Sequence, residues 1–265
     1  MTSSAASSAE KRGPVVFIKV DTLGDLVLFA PTLNTIRDAW PQRRLIVLIR
    51  QAYADIAPRL AAGIEWITTT IDPFGHGPSE EAEEFARLRK VLSEIQPETV
   101  VAATSRRTWV EIGLAATSGA TQRMALGSDA HDEFFATQLR LMLAVDASAA
   151  FNEHLPIEPT EPDWQRNWRL ADALLGAARP RIPVRLELVP ATDGAADRVL
   201  RERQLESRRF AICAAAGFAN VALKTWPADR FAAVIRHLQA NHGVRTLLIG
   251  AESERAHLEG IAAAS

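Results

Sequence analysis

The chain has 265 residues, of which 48% are hydrophobic and 23% are charged. This composition is typical of a folded globular protein and excludes an intrinsically disordered chain. The formal net charge of −2 favours small-molecule partners over nucleic acid, and at most a peripheral contact with a membrane is expected. The single cysteine, Cys213, excludes an internal disulfide and a cysteine-rich metal site, and it favours a reducing, cytoplasmic location.

The first part of the chain alternates strand and helix patterns. Residues 1–13 are small and polar, which predicts a flexible leader and not a signal peptide. A strand over Pro14–Val20, a tight turn and a helix reaching Trp40 are followed by a second apolar strand at Leu45–Ile49. Further predicted elements are helices at 52–60 and 80–95 and strands at 64–67, 99–103 and 123–126. The pattern predicts an α/β fold with a parallel, doubly wound sheet.

A proline-rich and acidic segment, residues 155–163, is typical of a linker between domains. We therefore expect one Rossmann-like domain over residues 14–154 and a second over 164–265. The second contains predicted strands at 210–214 and 244–250 and helices at 164–175, at 227–240 and from Ser253. Two strands are too few for a stable doubly wound sheet, so the second domain is expected to be incomplete, truncated by several βα units.

The turn after the first strand, Asp21-Thr22-Leu23-Gly24-Asp25, is the first candidate site. Gly24 is expected to permit a tight bend, and the amides that follow open a helix N-terminus that can bind an anion. Asp25 at this position is either a general base for an attacking hydroxyl or an ordinary helix-start residue favoured by the helix dipole.

The second candidate site is the small-residue turn after Phe210–Ala214, which ends in Lys224 and Trp226-Pro227. Lys224 before a helix would supply a positive charge to a phosphate, although a solvated surface lysine fits equally well. Weaker candidates are His76, the Arg106-Arg107 pair, and Glu252 and Glu254 after the last strand. His76 has no partner at metal-ligand spacing, the arginines fit a solvated strand end, and the glutamates fit a helix start.

These two turns, in this order and at this separation, resemble bacterial glycosyltransferase family nine, the ADP-heptose:lipopolysaccharide heptosyltransferases and their relatives. The family opens with I-[RK]-x-S-S-[LM]-G-D and an apolar helix with proline, matched here by Ile18, Lys19, Leu23, Gly24, Asp25 and Pro31. Its second domain carries K-x-W-P-x-x-x-[FW], matched by Lys224, Trp226, Pro227 and Phe231. The resemblance covers nearly the whole chain after residue 13.

The resemblance implies a GT-B fold, two Rossmann-like domains with the acceptor on the N-terminal side and the sugar nucleotide on the C-terminal side. It implies that Asp25 is the base, with Thr22 and Gly24 in the acceptor-side turn. It also implies that Lys224 contacts the donor phosphate, with Asn220 nearby, and that Glu252 or Glu254 holds the ribose. The implied reaction is a metal-independent, inverting transfer of a sugar from ADP-heptose or another nucleotide sugar to a glycolipid or glycan acceptor, with no cofactor.

The sequence departs from the family pattern at three points. The later D-[ST]-G-x-x-H segment, which cradles the donor diphosphate, does not occur in the sequence. Asp21-Thr22 replaces Ser-Ser and puts a second carboxylate beside the expected base, a change that would alter the choice of acceptor. Alanine-rich sequence replaces the usual polar residues before Lys224, with Asn220 the only polar side chain nearby.

Two other functions remain open. The chain is alternatively an inactive or partner-dependent remnant that binds a nucleotide or a partner without turnover. A nicotinamide-binding Rossmann enzyme is disfavoured, because no G-x-G-x-x-G follows the first strand.

Overall fold

The computed structural model describes residues 12–75, 77–128, 132–183, 194–206, 209–215 and 226–265. Residues 1–11 of the predicted leader lie outside the described residues. The chain divides into two compact units, Met1–Leu188 and Val189–Ser265.

The first unit is built on a six-stranded sheet in which every neighbouring pair of strands is parallel. Its strands are β1 (Val15–Lys19), β2 (Leu45–Arg50), β3 (Glu65–Thr69), β4 (Thr99–Ala102), β5 (Gln122–Leu126) and β6 (Glu153–Leu155). Its helices are α1 (Leu23–Ala39), α2 (Ala57–Leu60), α3 (Ala82–Ile95), α4 (Trp109–Thr117), α5 (Asp132–Leu143) and α6 (Asp163–Leu175). The predicted α/β fold with a parallel sheet is confirmed.

The central strands are apolar on both faces because helices cover both faces of the sheet. In β1, Val16 and Ile18 belong to one buried cluster, while Val15 and Phe17 belong to a second cluster on the other face. The strand order is β3-β2-β1-β4-β5-β6. The chain therefore winds away from β1 in one direction and returns to its other side at β4, which makes the β1/β4 boundary the switch point of the sheet.

The predicted linker at 155–163 joins two elements of the first unit instead of two domains. β6 pairs with β5, and α6 packs on α1 with Trp168 and Leu170 buried in the same cluster as Phe29. The division between compact units therefore falls at 188/189, later than the sequence boundary. The connection between β6 and α6 is rich in proline, but the helix that follows it still contributes side chains to the core of the first unit.

The predicted helix at 52–60 is also shorter in the structure. A single 3-10 turn, Gln51–Tyr53, precedes α2, which has Pro58 in its first turn. Proline has no N–H to donate, and the N–H groups of the first turn have no partner within the helix, so Pro58 fits the start of α2.

The second unit contains α7 (Ala195–Glu202), β7 (Phe210–Ala214), α8 (Ala228–His242), β8 (Arg245–Ile249), a 3-10 turn (Glu252–Glu254) and α9 (Arg255–Ala263). β7 and β8 are parallel, as expected for a βαβ unit. Their apolar side chains are less covered than those of the first sheet, with Ile212 60% and Ile249 45% exposed.

Candidate active site

A groove of about 1120 Å³ opens beside the carboxyl ends of β1, β4 and β5, and we call it the β1/β4 groove. Its lining comes mainly from residues 19–25, 103–107, 126–128, 156–159 and 163–167. In doubly wound sheets, loops that leave neighbouring strands in opposite directions open a crevice at the switch point. The groove is therefore placed where the fold itself predicts a ligand site.

Asp25 lies in this groove in the first turn of α1. Thr22 is the N-cap residue, and its hydroxyl and backbone N–H donate to Asp25 Oδ2 at 2.6 and 3.2 Å. The Asp25 N–H donates back to Thr22 Oγ1 at 3.4 Å, which completes a capping box. Asp25 Oδ1 accepts no hydrogen bond from the described residues, so one carboxylate oxygen anchors the helix while the other is left for a ligand.

Gly24 does not make the bend that the sequence predicted for it. It lies inside α1, is exposed and is not among the glycines with positive φ. An added Cβ would meet only Thr22 Oγ1, at 3.7 Å, which is ordinary van der Waals contact. The chain turns at Thr22, whose extended backbone and side-chain cap start the helix, so this expectation for Gly24 was wrong.

Lys19 and Asp21 form a buried ion pair at the floor of the groove. Lys19 Nζ donates to Asp21 Oδ2 and to the carbonyl oxygen of Ala103, both at 2.7 Å. Burial raises the pKa of Asp21, an effect that the Lys19 charge opposes and the Asp25 charge adds to. The carboxylate that replaces the family serine is thus held by the motif lysine.

The Arg106-Arg107 pair divides into one buried and one exposed side chain. Arg107 forms an ion pair with Asp132 at 3.0 Å and donates to the carbonyl oxygens of Leu126 and Ser128. Arg107 therefore ties the loop after β4 to the end of β5. Arg106 is exposed and lines the groove.

Glu111 is a buried carboxyl group at the start of α4. It is 1% exposed and belongs to a second capping box at the start of α4, where Oε2 accepts from Thr108 N and Oγ1 at 2.8 and 2.5 Å. Its Oε1 is buried without a hydrogen-bond partner in the described structure. Burial raises the pKa of Glu111 to about 7.

The expected donor residues lie in the second unit or outside the described residues. Glu252 forms an ion pair with Arg255 at 2.6 Å, and that contact lowers the pKa of Glu252. Glu254 Oε2 accepts from the Ala251 N–H at 2.7 Å. Lys224, Asn220 and the weaker candidate His76 fall outside the described residues.

The structure brings Thr22 and Asp25 into contact at the start of α1, in the turn that the sequence singled out. The groove also contains residues that the sequence patterns did not identify as site residues, for example Asp132 and Arg166. These side chains come from later elements of the chain, and only the parallel order of the strands places them beside Asp25. The Thr108-x-x-Glu111 box, by contrast, carries a readable capping signature in the sequence.

The described residues contain no cluster of three or more His, Cys, Asp or Glu side chains that could hold a metal ion. Within the same part of the chain, no helix is long and apolar enough to cross a membrane.

The strand order and the flanking helices define an α/β protein of the doubly wound class, with a groove at the switch point of its sheet. Residues 142–265 match the sequence profile of glycosyltransferase family 9 (heptosyltransferase). This match confirms the resemblance to glycosyltransferase family 9. No curated protein sequence matches the chain.

Solved structures share the fold, and three of them show the extent of the likeness. A family 9 glycosyltransferase from Veillonella parvula has a TM-score of 0.70 at 17% identity, over 95% of this chain and 66% of its own. Heptosyltransferase WaaC from E. coli, solved with ADP-2-deoxy-2-fluoro heptose, has a TM-score of 0.60 at 19% identity, over 94% and 73%. ADP-heptose lps heptosyltransferase II from E. coli has a TM-score of 0.64 at 16% identity, over 95% and 69%. The expected GT-B type fold is confirmed, and the chain spans 66% of the Veillonella protein's length.

Proposed function

We propose that the protein is an inverting glycosyltransferase that transfers a sugar, heptose in the first instance, from a nucleotide diphosphate donor to a lipopolysaccharide-type or other cell-surface glycan. The observation that carries the proposal is Asp25, whose Oδ1 is left free in the β1/β4 groove while Oδ2 is fixed by Thr22. A fixed carboxylate with one open oxygen is suited to accept a proton from a bound hydroxyl.

The donor assignment is supported by the family 9 match over residues 142–265 and by the fold of WaaC, whose structure contains an ADP-heptose analogue. Lys224 would offset the charge of the diphosphate, with Asn220 beside it, and Glu252 or Glu254 would bind the ribose hydroxyls. Glu254 is held by the Ala251 N–H, and Glu252 would have to exchange Arg255 for the ribose.

In the proposed reaction the acceptor hydroxyl lies beside Asp25 Oδ1. Its proton passes to Asp25 as its oxygen bonds to the anomeric carbon of the donor sugar. The bond from that carbon to the phosphate oxygen breaks, its electron pair leaves with the nucleoside diphosphate, and the anomeric configuration inverts. Thr22 keeps the carboxylate oriented throughout, which lowers the cost of reaching the reactive geometry.

The test is a transfer assay with ADP-heptose, other ADP sugars and UDP sugars against deacylated lipopolysaccharide core acceptors. We expect release of the nucleoside diphosphate only when donor and acceptor are both present, and a product with inverted anomeric configuration by NMR. Retention of configuration would contradict the mechanism. Nucleotide binding without turnover, with every donor, would favour the inactive or partner-dependent remnant.

A further inference from the structure

The two most exposed large hydrophobic side chains among the described residues both lie on α5. Leu141 is 75% exposed and Phe134 is 65% exposed. Seven residues separate them, which is almost two full turns of a helix, so both side chains point in nearly the same direction. The next residue, Met142, is exposed as well. Single hydrophobic residues scattered over a surface are normal, whereas several on one helix face indicate a surface that another molecule covers.

The opposite face of α5 already supplies the contacts that the fold needs. Leu139 is buried, and Phe135 and Leu143 pack against the same core cluster. α5 also packs directly on α4. Phe134 and Leu141 contribute nothing to this core, and neither of them lines the β1/β4 groove. The core and the groove therefore do not explain why the outer face of α5 is apolar.

Two charged residues of opposite sign accompany this apolar surface. Glu133 lies at the beginning of α5 and Arg140 lies near its end, and both are exposed. They are also seven residues apart, so they lie along one edge of the apolar surface. Neither side chain forms an ion pair with a described residue. We call the surface formed by Glu133, Phe134, Arg140, Leu141 and Met142 the α5 face.

We propose that the α5 face is a homodimer interface, in which α5 packs antiparallel against α5 of a second copy of the chain. The two-fold axis would pass between residues 137 and 138, so that Phe134 of each copy packs against Leu141 of the other. The same axis brings Glu133 of each copy beside Arg140 of the other. The inference does not depend on the proposed function.

The order of residues along α5 favours this arrangement. An acidic residue and an aromatic residue lie at one end of the α5 face, and a basic residue and aliphatic residues lie at the other. An antiparallel two-fold axis keeps the charged edges of both copies on the same side of the contact, so two equivalent ion pairs form. A parallel pairing would put those edges on opposite sides. One helix face is small for an interface, so we expect a weak dimer with a Kd on the order of 10 µM.

The charges around α5 favour a second copy over a membrane surface. A cavity of about 300 Å³ beside the helix includes Asp132, Glu133, Arg140 and Asp146 in its lining. Asp132 forms an ion pair with Arg107, which leaves two carboxylates and one guanidinium. An anionic bilayer attracts surfaces that are rich in lysine and arginine, and these described residues carry the opposite net charge.

Sedimentation velocity of the full chain, from about 1 to about 200 µM, measures the association. We expect a reversible monomer–dimer equilibrium. Leu141→Glu should raise the Kd about tenfold or more, because it puts a charge in the apolar part of the contact. Glu83→Arg, which reverses an exposed charge on α3, is the control and should leave the Kd unchanged. Thermal melting of each variant verifies that the fold is intact.

Charge reversal tests the antiparallel arrangement. Glu133→Arg and Arg140→Glu should each raise the Kd about tenfold, because each change places like charges together twice in the symmetric dimer. A mixture of these two single variants should form a heterodimer with nearly the wild-type Kd, since every pair across that contact again has opposite charges. The double variant, Glu133→Arg with Arg140→Glu, should recover the homodimer for the same reason.

Three results would overturn the inference. The first is a chain that stays monomeric at the highest concentration, and the second is a dimer whose Kd is unchanged in Leu141→Glu. The third is a mixture of the two charge-reversed variants that associates no better than either alone. Vesicles of phosphatidylethanolamine and phosphatidylglycerol test the alternative. If the wild type is monomeric but sediments with these vesicles, and Leu141→Glu does not, a membrane covers the α5 face instead of a second copy.

Discussion

The molecule contains two capping boxes of the same design, one at the start of α1 and one at the start of α4. Thr22 and Asp25 form the first, and Thr108 and Glu111 form the second. Each follows one of the two strands at the switch point of the sheet, yet Asp25 reaches the groove while Glu111 is 1% exposed. The same local motif therefore gives a carboxylate that a ligand can reach at Asp25 and a buried, structural carboxyl group at Glu111. The difference between the two is their burial.

The substitution expected to have the largest effect is Asp25→Asn, which should lower the transfer activity. Asparagine keeps an oxygen that can accept from Thr22 but cannot take up the acceptor proton. We expect kcat/KM for transfer to fall by about 10² to 10⁴, the contribution typical of a general base, with little change in stability. Asp55→Asn removes an exposed carboxylate outside the groove and serves as the control. Full transfer activity in Asp25→Asn would remove Asp25 from the mechanism.

The second prediction is that Glu111 makes the free energy of unfolding depend on pH. Burial raises its pKa from 4.5 to about 7. Below pH 4.5, Glu111 is protonated in both the folded and the unfolded state, and its contribution to the free energy of unfolding is complete. As the pH rises from there to about 7, the unfolded state loses its proton first, so the free energy of unfolding falls by about 3 kcal/mol.

Urea unfolding at about pH 4 and about pH 8 measures this difference, to which Asp21 adds in the same direction because its pKa is also raised. Glu111→Gln should remove the Glu111 part of the loss. Glu83→Gln, which changes an exposed glutamate of α3, should leave the dependence as in the wild type. An unchanged slope in Glu111→Gln would mean that other groups cause the loss.

The two boxes also show how far the sequence predicts this molecule. β1 and β2 were predicted because continuous apolar runs are typical of strands covered on both faces. α4 was missed because its residues are buried on every side, so no polar face marks the helical period. Its Thr108-x-x-Glu111 signature was present and would have indicated the helix start.

The candidate site was predictable only where it is local in sequence. Thr22 and Asp25 are three residues apart, and their turn was identified directly. Arg107 and Asp132 are 25 residues apart, and their contact follows from the adjacency of β4 and β5, which no local pattern encodes. The linker prediction at 155–163 failed for the same reason, since composition does not reveal that Trp168 packs into the first core.

A smaller effect on stability is expected when the two threonine caps are removed one at a time. Thr22→Ala should cost about 1 kcal/mol, the usual value of an N-cap, because water can replace the lost hydroxyl beside the half-buried Asp25. Thr108→Ala should cost more, about 2 kcal/mol or above, because Glu111 Oε2 loses a donor where water does not reach. Thermal and urea unfolding of both variants, each against its Thr→Ser control, measures the difference. Equal losses would show that burial does not set the strength of these boxes.

The smallest effect on stability is expected at Gly24, one of the positions at which the two boxes differ in sequence. The corresponding position of the second box is Val110, a β-branched residue that adopts the same place in α4 without strain. The backbone of α1 therefore does not need a glycine, and an added Cβ would meet only Thr22 Oγ1 at 3.7 Å. Gly24→Ala should raise the free energy of unfolding by about 0.5 to 1 kcal/mol, through lower entropy of the unfolded chain. If transfer falls in this stabilised variant, a ligand occupies the space beside Gly24, whereas a loss of stability would show that the glycine serves the fold after all.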